Sequence, residues 1–344
     1  MKKYLIILLF LVAGNVAVFA QEQNQFTLFP WAAPYFNAGA IGEQNNTLCF
    51  TAIFSQQKAG LHDTYEKEGQ TLQDNTSPQE LYFTIESYLK PLHGSLGVTF
   101  IKDKIGFCDN IGIKLGYAFK MNIPTGKLSI GAQVGLYNIQ LDGAKLRYMH
   151  ENDPLVENVK NSESFMDLDF HFGILYKAER WYVGVGATNL AVSTKLRFSG
   201  DPTAFSNSRQ LYLHGGYTWV VPANPSWEIE PQAILMGVIG SKFDYSATVM
   251  ALARYNKVYW GGLSYRYGDD ISVLFGARPF YNSSNNFMKG LDMGLSYGFP
   301  TNKLGIQQRS FGSIEVMVRY CFDIYKEPVF SGYGSTRAIY RNQY

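Results

Sequence analysis

Long stretches of the chain alternate strictly between apolar residues and residues that are small, polar or charged. In residues 111–121 every second position is apolar: Ile111, Ile113, Leu115, Tyr117, Phe119 and Met121. The positions between them hold glycine, alanine or lysine. Because successive side chains of a β-strand point to opposite faces, this segment predicts a strand with one apolar face. The same alternation recurs in residues 128–136, 166–176, 291–299 and 314–322.

Counting such segments gives about fourteen strands. Their approximate spans are 47–55, 80–90, 94–102, 109–121, 127–138, 164–177, 180–189, 209–221, 226–237, 243–255, 258–267, 270–280, 287–299 and 311–323. The pattern predicts an all-β fold, a transmembrane, antiparallel, up-and-down β-barrel. A soluble all-β sandwich or barrel is the alternative, but its exposed face would carry more charge. Aromatic residues near strand ends, such as Trp181, Trp227 and Trp260, match the interfacial girdles of membrane barrels.

The predicted connections alternate in length along the chain. The long, polar ones include 56–79, 139–163, 190–208 and 300–310, and the mostly short ones include 90–93, 122–126, 178–179, 222–225 and 256–257. Bacterial barrels have short periplasmic turns and longer outer loops, so both ends of the 47–323 barrel are expected in the periplasm. The last strand must pair with the first, since no water in the bilayer can satisfy an open sheet edge.

Composition and the first residues indicate an exported protein. The chain has 344 residues, of which 15% are aromatic and 17% charged, so it does not have the composition of a disordered protein. A net charge of +2 without a basic cluster argues against a nucleic-acid partner. Met1–Lys3 and the apolar stretch that follows predict a signal peptide over residues 1–20, cleaved after Ala20; a retained anchor is the alternative. The predicted location is the cell outer membrane.

Strand parity assigns a set of charged residues to the barrel lumen. They are Lys114, Lys120, Asp167, Asp169, His171, Lys177, Arg266, Arg278, Asp292, Glu315 and Arg319. Fourteen strands enclose a wide lumen, and both signs of charge are present. Two interpretations therefore stay open: a salt-bridged interior, or a charge-lined conduction path.

Two segments lie outside the predicted barrel. Residues 21–46 are too aromatic for a free linker and are expected to pack into the lumen or against a partner. Their candidate binding residues are Trp31, Tyr35, Phe36 and Asn37. Residues 324–344 form a tail whose aromatic and arginine content is typical of interfaces: Tyr325, Phe330, Arg337, Tyr340 and Arg341. The tail is interpreted as a periplasmic docking segment, and a free exposed end is the alternative.

Two of the three cysteines fall near the expected closure of the barrel. Cys49 opens the first strand, Cys321 closes the last strand on the same side, and parity turns both sulfurs inward. Export favours disulfides, so a bond between them is a hypothesis, although strained cross-strand geometry counts against it. Cys108 is expected in an outer loop with no evident partner.

The sequence carries no convincing catalytic or metal-binding constellation. Five histidines are present, but the HExxH, CxxC and G-x-S-x-G patterns are all missing. His150, beside Glu151 and Asp153, is the one faint candidate for a catalytic base, and a solvated loop explains it better. We therefore predict a non-enzymatic protein with no cofactor and no metal.

Five short motifs give the whole mature chain a family resemblance. They are Pro34–Gly42, Gly97–Gly106, Asp167–Ile174, Trp260–Arg266 and Gly312–Glu315. In this order they resemble the conserved stretches of the PorP/SprF family, outer-membrane proteins of type IX secretion and gliding motility in the Bacteroidota. Ala38 stands where the family's first motif has proline, and Ile314 stands where its last has histidine.

The resemblance implies a non-enzymatic role in protein secretion. Members of the family help to secrete, or hold on the cell surface, a large adhesin with a C-terminal sorting domain. By this analogy the outer loops would contact the adhesin domain, and the periplasmic termini would contact lipoprotein or ring components of the machinery. A passive porin or solute channel is the alternative function.

Overall fold

Fourteen long antiparallel strands close into a β-barrel in the part of the chain that the structure describes. The structure is a computed structural model that describes residues 25–43, 47–67, 70–106, 108–141, 163–191, 209–239, 243–283, 288–302, 305 and 310–324. The strands are β1 (Thr47–Ala59), β2 (His62–Lys67), β3 (Gln70–Asn75), β4 (Gln79–Leu89), β5 (Gly94–Ile105), β6 (Cys108–Ile123), β7 (Gly126–Leu141), β8 (Glu163–Lys177), β9 (Trp181–Thr188), β10 (Arg209–Tyr217), β11 (Trp219–Val220), β12 (Trp227–Ile239), β13 (Phe243–Tyr255), β14 (Tyr259–Arg266), β15 (Asp270–Ala277), β16 (Leu291–Pro300) and β17 (Gly312–Asp323).

Two strand pairings complete the circle of the barrel. One joins the first and last strands of the chain, and the other joins two strands that flank a short extra strand. β1 pairs with β17, and β10 pairs with β12, so the circle has no gap. The two-residue β11 continues β10 against β12, while β2 and β3 form a separate hairpin. The predicted antiparallel fourteen-strand barrel is thus confirmed, and the strand over 243–255 has the predicted bounds. The β2–β3 hairpin was not predicted, and Cys108 begins β6 instead of lying in a loop.

Alternation in burial shows which face of the sheet is apolar. In β6 the side chain of Leu115 is 56% exposed, whereas its neighbour Lys114 is 2% exposed. Other apolar residues exposed on the outer wall include Val98, Leu136, Val185, Leu213, Val249, Phe275 and Val316. A sandwich would bury this apolar face, so the sandwich alternative is excluded. An apolar outer wall of this kind faces lipid in membrane barrels.

The two ends of the barrel differ in their connections. The turn end carries the first residue of β1, the last residue of β17 and tight connections such as the 3₁₀-helix η3 (Lys90–Leu92). The loop end carries the β2–β3 hairpin and the long connection between β7 and β8. The predicted alternation of lengths is incomplete, because residues 278–290 form a long connection at the turn end. The short connection 267–269 lies at the loop end.

Residues 25–43 form three short helices inside the barrel: η1 (Phe29–Ala32), α1 (Ala33–Phe36) and η2 (Ala38–Ala40). Pro30 and Pro34 stand in the first turns of η1 and α1, where no intrahelical N–H is required. The Asn37 side chain accepts a hydrogen bond from the Gly39 N–H and so caps η2. None of the helices within the described ranges is long and apolar enough to cross a membrane.

The hydrophobic core of the molecule lies in the lumen. It joins apolar side chains of residues 25–43 to inward side chains from opposite parts of the wall. Its wall members include Ile53, Tyr82, Tyr212, Leu252, Leu274 and Met317. The N-terminal segment is therefore packed as part of the fold.

Candidate functional site

Residues 25–43, which we name the plug, occupy the barrel lumen. Its apolar side chains are almost fully buried: Phe26, Leu28, Phe29, Trp31, Phe36 and Ile41. The sequence left two sites open for this segment, the lumen or a partner protein. The structure places it in the lumen, where its contacts involve most of the described strands.

The plug runs from the loop end of the barrel to the turn end. The Gln25 carbonyl accepts a hydrogen bond of 2.8 Å from Arg266, the last residue of β14, at the loop end. The Gly42 N–H donates a hydrogen bond of 2.6 Å to Glu86, near the turn end of β4. The Gly42 carbonyl accepts one of 3.1 Å from Ser95, at the start of β5. The plug therefore extends through the lumen to the point where the chain enters β1.

The carboxylate of Glu315 holds the plug near the loop end. Its two oxygens accept hydrogen bonds of 2.8 Å each from the backbone N–H groups of Thr27 and Leu28. Glu315 is 2% exposed, so the charge is stabilised by these donors in place of water. Hydrogen bonds to an ionised acceptor are stronger than neutral ones, and this pair fixes the entry of the plug.

Asp292 organises a stack of two tryptophans farther along the plug. Trp31 and Trp260 stack with ring centroids 4.5 Å apart. Both indole N–H groups donate to Asp292, at 3.3 Å from Trp31 and 2.9 Å from Trp260. The Arg278 Nε donates to the same carboxylate at 3.1 Å. The assignment of Trp260 to an interfacial girdle was therefore wrong: its side chain faces the lumen and packs on the plug.

Asn37 fastens the middle of the plug to the opposite wall. The side chain is fully buried, and its Nδ2 donates a hydrogen bond of 3.0 Å to the Ile174 carbonyl. The same nitrogen lies 2.8 Å from Nε2 of His214, and Oδ1 accepts from the Gly39 N–H at 2.8 Å. All the polar atoms of this side chain are thus paired, as a buried amide requires.

Three wall glycines let the plug backbone approach the sheet. A Cβ at Gly131, Gly173 or Gly186 would collide with the backbone of residues 36–38 or with the Asn37 side chain. These positions hold glycine because any larger residue would push η2 away from the wall. In the sequence these glycines are distinguished only as small residues that alternate with apolar ones.

An ion pair and a backbone contact hold the plug at the turn end. Glu43 pairs with Lys177, and Lys120 donates a hydrogen bond to the Gly42 carbonyl. Burial alone would raise the pKa of Glu43, but the Lys177 ammonium outweighs it and holds that pKa below its usual value. The Glu43 carboxylate is therefore charged at neutral pH.

The other charged residues assigned to the lumen are placed as follows. Lys114 is buried with Nζ 5.0 Å from the centre of the Tyr35 ring, and His171 lies 2.8 Å from Asp169. Arg266 pairs with Asp269 at 3.1 Å, and Arg319 lies 3.9 Å from Glu86. Asp167 belongs to β8, but its side chain falls outside those that the structure describes. The tail candidates Tyr325, Phe330, Arg337, Tyr340 and Arg341 lie outside the described residues.

Sequence reasoning missed several polar residues that the structure buries in the lumen, among them Glu80, Glu86 and His214. The last two contact the plug. Apolar and polar residues alternate along β4, where the exposed Leu81 stands beside the buried Glu80. This alternation could have assigned the two glutamates to the lumen.

Two open cavities lie on the turn-end side of the plug. One has a volume of about 220 Å³ and is lined by Trp31, Lys177, Trp181, Arg254 and other residues. The other has a volume of about 300 Å³ and is lined by Thr47, Lys289, Asp323 and neighbours. Arg278 and Arg319 line both. Together the two cavities form an open vestibule between the plug and the turn end of the barrel.

A disulfide bond joins Cys49 to Cys321 across the seam between β1 and β17. The two residues are direct cross-strand partners, their Cα atoms are 4.1 Å apart, and 272 residues separate them in the chain. The bond links the first and last barrel strands at the turn end.

Replacing Glu315 with glutamine should loosen the plug. The substitution keeps the shape but removes the charge and turns one acceptor into a donor that faces a backbone N–H. Losing a charged hydrogen bond in a buried site costs about 2–3 kcal/mol. We expect faster protease cleavage within residues 25–43 of the folded, detergent-solubilised protein. Asp270→Asn is the matched control, because the buried Asp270 bonds to Ser272 on its own strand; equal cleavage in both variants would contradict the anchoring role.

Comparison with known proteins gives one family and several barrels of similar shape. The sequence profile described as "Type IX secretion system membrane protein PorP/SprF" matches residues 18–320. Among curated protein sequences, none matches significantly.

Solved structures of similar shape include the toluene transporter TbuX of Ralstonia pickettii. It is 9% identical, with coverage of 86% of this chain and 94% of that chain and a TM-score of 0.48. The toluene transporter TodX of P. putida is 10% identical, with coverage of 85% and 93% and a TM-score of 0.49. A FadL homologue of Pseudomonas aeruginosa is 10% identical, with coverage of 84% and 93% and a TM-score of 0.45.

Proposed function

The chain belongs to the PorP/SprF family of type IX secretion system membrane proteins, and from this membership we propose its role. It supports the secretion or surface anchoring of a large adhesin that carries a C-terminal sorting domain. The role is non-enzymatic and uses no cofactor. The barrel acts as a membrane-embedded platform on which the partners assemble.

The proposed orientation places the turn end in the periplasm and the loop end outside the cell. Short periplasmic turns and longer outer loops are the usual arrangement in bacterial barrels. The barrel fold and the family both point to the outer membrane. The signal peptide is then cleaved after Ala20, and the apolar outer wall contacts outer-membrane lipid.

The plug is the observation that favours this proposed role over that of a passive porin. A conduction path needs a continuous aqueous lumen, whereas here Phe29, Trp31 and Phe36 are buried within it. Several charged groups near the plug are paired: Glu315 accepts from the backbone N–H groups of Thr27 and Leu28, and Asp292 pairs with Arg278. This pairing supports a salt-bridged interior more than a charge-lined path.

The proposed partners occupy opposite sides of the membrane. The loop end faces the adhesin domain. Ring or lipoprotein components of the secretion machinery bind at the turn end, where the C-terminal tail leaves β17. The candidate docking residues of that tail are Tyr325, Phe330, Arg337, Tyr340 and Arg341.

Deleting the gene tests the proposed function. We expect surface display of one large adhesin to be lost while the uptake of small solutes is unchanged, because the barrel serves protein export. Display is measured by labelling intact cells, and a plasmid copy of the gene should restore it. Unaltered display together with slower solute uptake would favour the porin.

Removing residues 325–344 tests the docking tail separately. The barrel strands end at Asp323, so the truncated protein should still fold and migrate as a heat-modifiable barrel on gels. We expect adhesin display to fall to the level of the gene deletion. A truncated protein that folds and still supports full display would remove the tail from the account.

A further inference from the structure

Three arginines gather around the vestibule at the turn end of the barrel. Arg254 is the last but one residue of β13, Arg278 follows β15 directly, and Arg319 lies near the end of β17. All three line the smaller cavity, and Arg278 and Arg319 also line the larger one. Arg319 alternates along its strand with the exposed Val318, so its side chain points into the lumen and away from lipid. The three guanidinium groups therefore share one space inside the barrel.

Two of these arginines use only a small part of their capacity to donate hydrogen bonds. The Nε of Arg254 donates to Glu230 at 2.8 Å, and the Nε of Arg278 donates to Asp292 at 3.1 Å. Their terminal Nη groups donate to no acceptor among the described residues. The forked ends of both side chains are therefore available to a ligand in the vestibule.

Arg319 is paired less well than the other two. Its Nη2 lies 3.9 Å from a Glu86 oxygen and 3.8 Å from the disulfide sulfur of Cys49. The first distance is too long for a hydrogen bond, and sulfur is a weak acceptor. The buried Nε has no acceptor in the described part of the chain. A guanidinium presents five N–H donors, so most of the donors of this largely buried group lack a protein acceptor.

The carboxylates around the vestibule are occupied by other donors. Asp292 accepts from Trp31 and Trp260 as well as from its arginine. Glu230 accepts from Gln232 as well. The other charged residues that line the cavities balance one another in sign: Lys177 and Glu43, Arg180 and Glu179, Lys289 and Asp323. The vestibule therefore offers free donors and few free acceptors, which favours a negatively charged ligand rich in acceptors.

We propose that the vestibule binds an acidic segment of a periplasmic protein through Arg254, Arg278 and Arg319. This rests on the proposed function, in which the turn end of the barrel meets components of the secretion machinery. The planar fork of a guanidinium matches a carboxylate with two parallel hydrogen bonds. The cavities, of about 220 and 300 Å³, also have apolar walls that include Phe29 and Phe322. A peptide, which combines carboxylates with carbon-rich groups, matches this lining better than a free phosphate ion.

Peptide binding to the purified, full-length protein in detergent tests the site. The probes are a fluorescein-labelled peptide rich in aspartate, the same peptide with asparagine in place of aspartate, and inorganic phosphate as a competitor. Fluorescence anisotropy at low ionic strength gives the dissociation constants. We expect the aspartate peptide to bind at least about tenfold more tightly than its asparagine counterpart, because only carboxylates form charge-assisted hydrogen bonds with arginine.

Substitutions of the arginines and of a matched lysine locate the binding. Arg278→Gln and Arg319→Gln should each weaken binding of the aspartate peptide about tenfold, since each removes a forked donor. Arg319→Lys keeps the charge and should also weaken binding, because an ammonium group presents no fork. Lys257→Gln is the matched control: Lys257 lies at the same end, pairs with Glu228 and lines neither cavity. Unchanged protease resistance of residues 25–43 shows that a variant is folded.

Three results would overturn the proposal. The first is equal affinity for the two peptides, and the second is a loss of binding in Lys257→Gln as large as in the arginine variants. The third is displacement of the peptide by an equal concentration of phosphate, which would show that the site takes a free oxyanion. The binding constants do not depend on an adhesin, whereas adhesin display after gene deletion tests the proposed function. Failure of one is therefore distinguishable from failure of the other.

Discussion

Deleting residues 25–43 should convert an occluded barrel into one that conducts ions. The deletion removes the side chains that fill the lumen, including Trp31 and Phe36, and leaves the described barrel strands intact. Fourteen strands enclose a lumen wide enough for water once its filling is gone. In planar bilayers we expect the full-length protein to stay near baseline and the deletion variant to conduct at least about tenfold more.

A milder pair of variants controls for the loss of a whole segment. Gly173→Ala combined with Gly186→Ala should also raise conductance, because each added methyl group collides with residues 36–37 of the plug. Gly135→Ala is the matched control on the same wall, where the nearest atom is Cγ of Lys114 at 3.2 Å. Steady conductance of the full-length protein equal to that of the deletion variant would contradict occlusion and restore the porin alternative.

Replacing Cys49 or Cys321 with serine should destabilise the barrel more than replacing Cys108. The disulfide closes a loop of 272 residues and restrains the unfolded chain. A disulfide typically contributes about 2–4 kcal/mol to the free energy of unfolding. We expect a loss of that size in urea unfolding of the detergent-solubilised protein, with Cys108→Ser unchanged. Reductant should lower the stability of the native protein to the level of the serine variants.

The mass of the native protein provides an independent check of the bond. Alkylation without reductant should modify only Cys108, and alkylation after reduction should modify all three cysteines. Three modified cysteines without reductant, together with equal stability of all the serine variants, would contradict the seam disulfide.

The barrel was predictable because its physics is local and periodic. Every strand has lipid on one side and the packed lumen on the other, so outward apolar residues and inward residues alternate along it with a period of two. This alternation is visible in the sequence. Ile314 to Phe322 shows it clearly: Val316 and Val318 are exposed, whereas Glu315 and Met317, which alternate with them, are buried. Closure then followed from the cost of a free edge in a bilayer.

The plug could be predicted only in part, because its apolar and polar residues follow no regular period. Its aromatic content showed that residues 21–46 pack against something, but three short helices turned by Pro30 and Pro34 carry no pattern that names their neighbours. The three wall glycines and the two anchoring carboxylates acquire their meaning only from contacts more than ninety residues apart in the chain.

For Trp260, the position near a strand end and the alternation of side chains along the strand predict different locations. Its place near a strand end led to a girdle assignment, whereas alternation with the exposed Tyr259 and Leu263 turns it inward. Parity therefore outweighs position when the two disagree. The β2–β3 hairpin, by contrast, lies within a polar stretch that had no apolar alternation to reveal it.

Photo-crosslinking from position 31 in living cells tests the central claim most directly. A photoreactive phenylalanine in place of Trp31 would lie against the β14 and β16 walls, near Trp260 and Asp292. The account predicts that mass spectrometry will find crosslinks within the same polypeptide, to peptides that contain these two residues. Crosslinks to another protein, with none to the barrel wall, would show that the N-terminal segment binds a partner and does not plug the lumen.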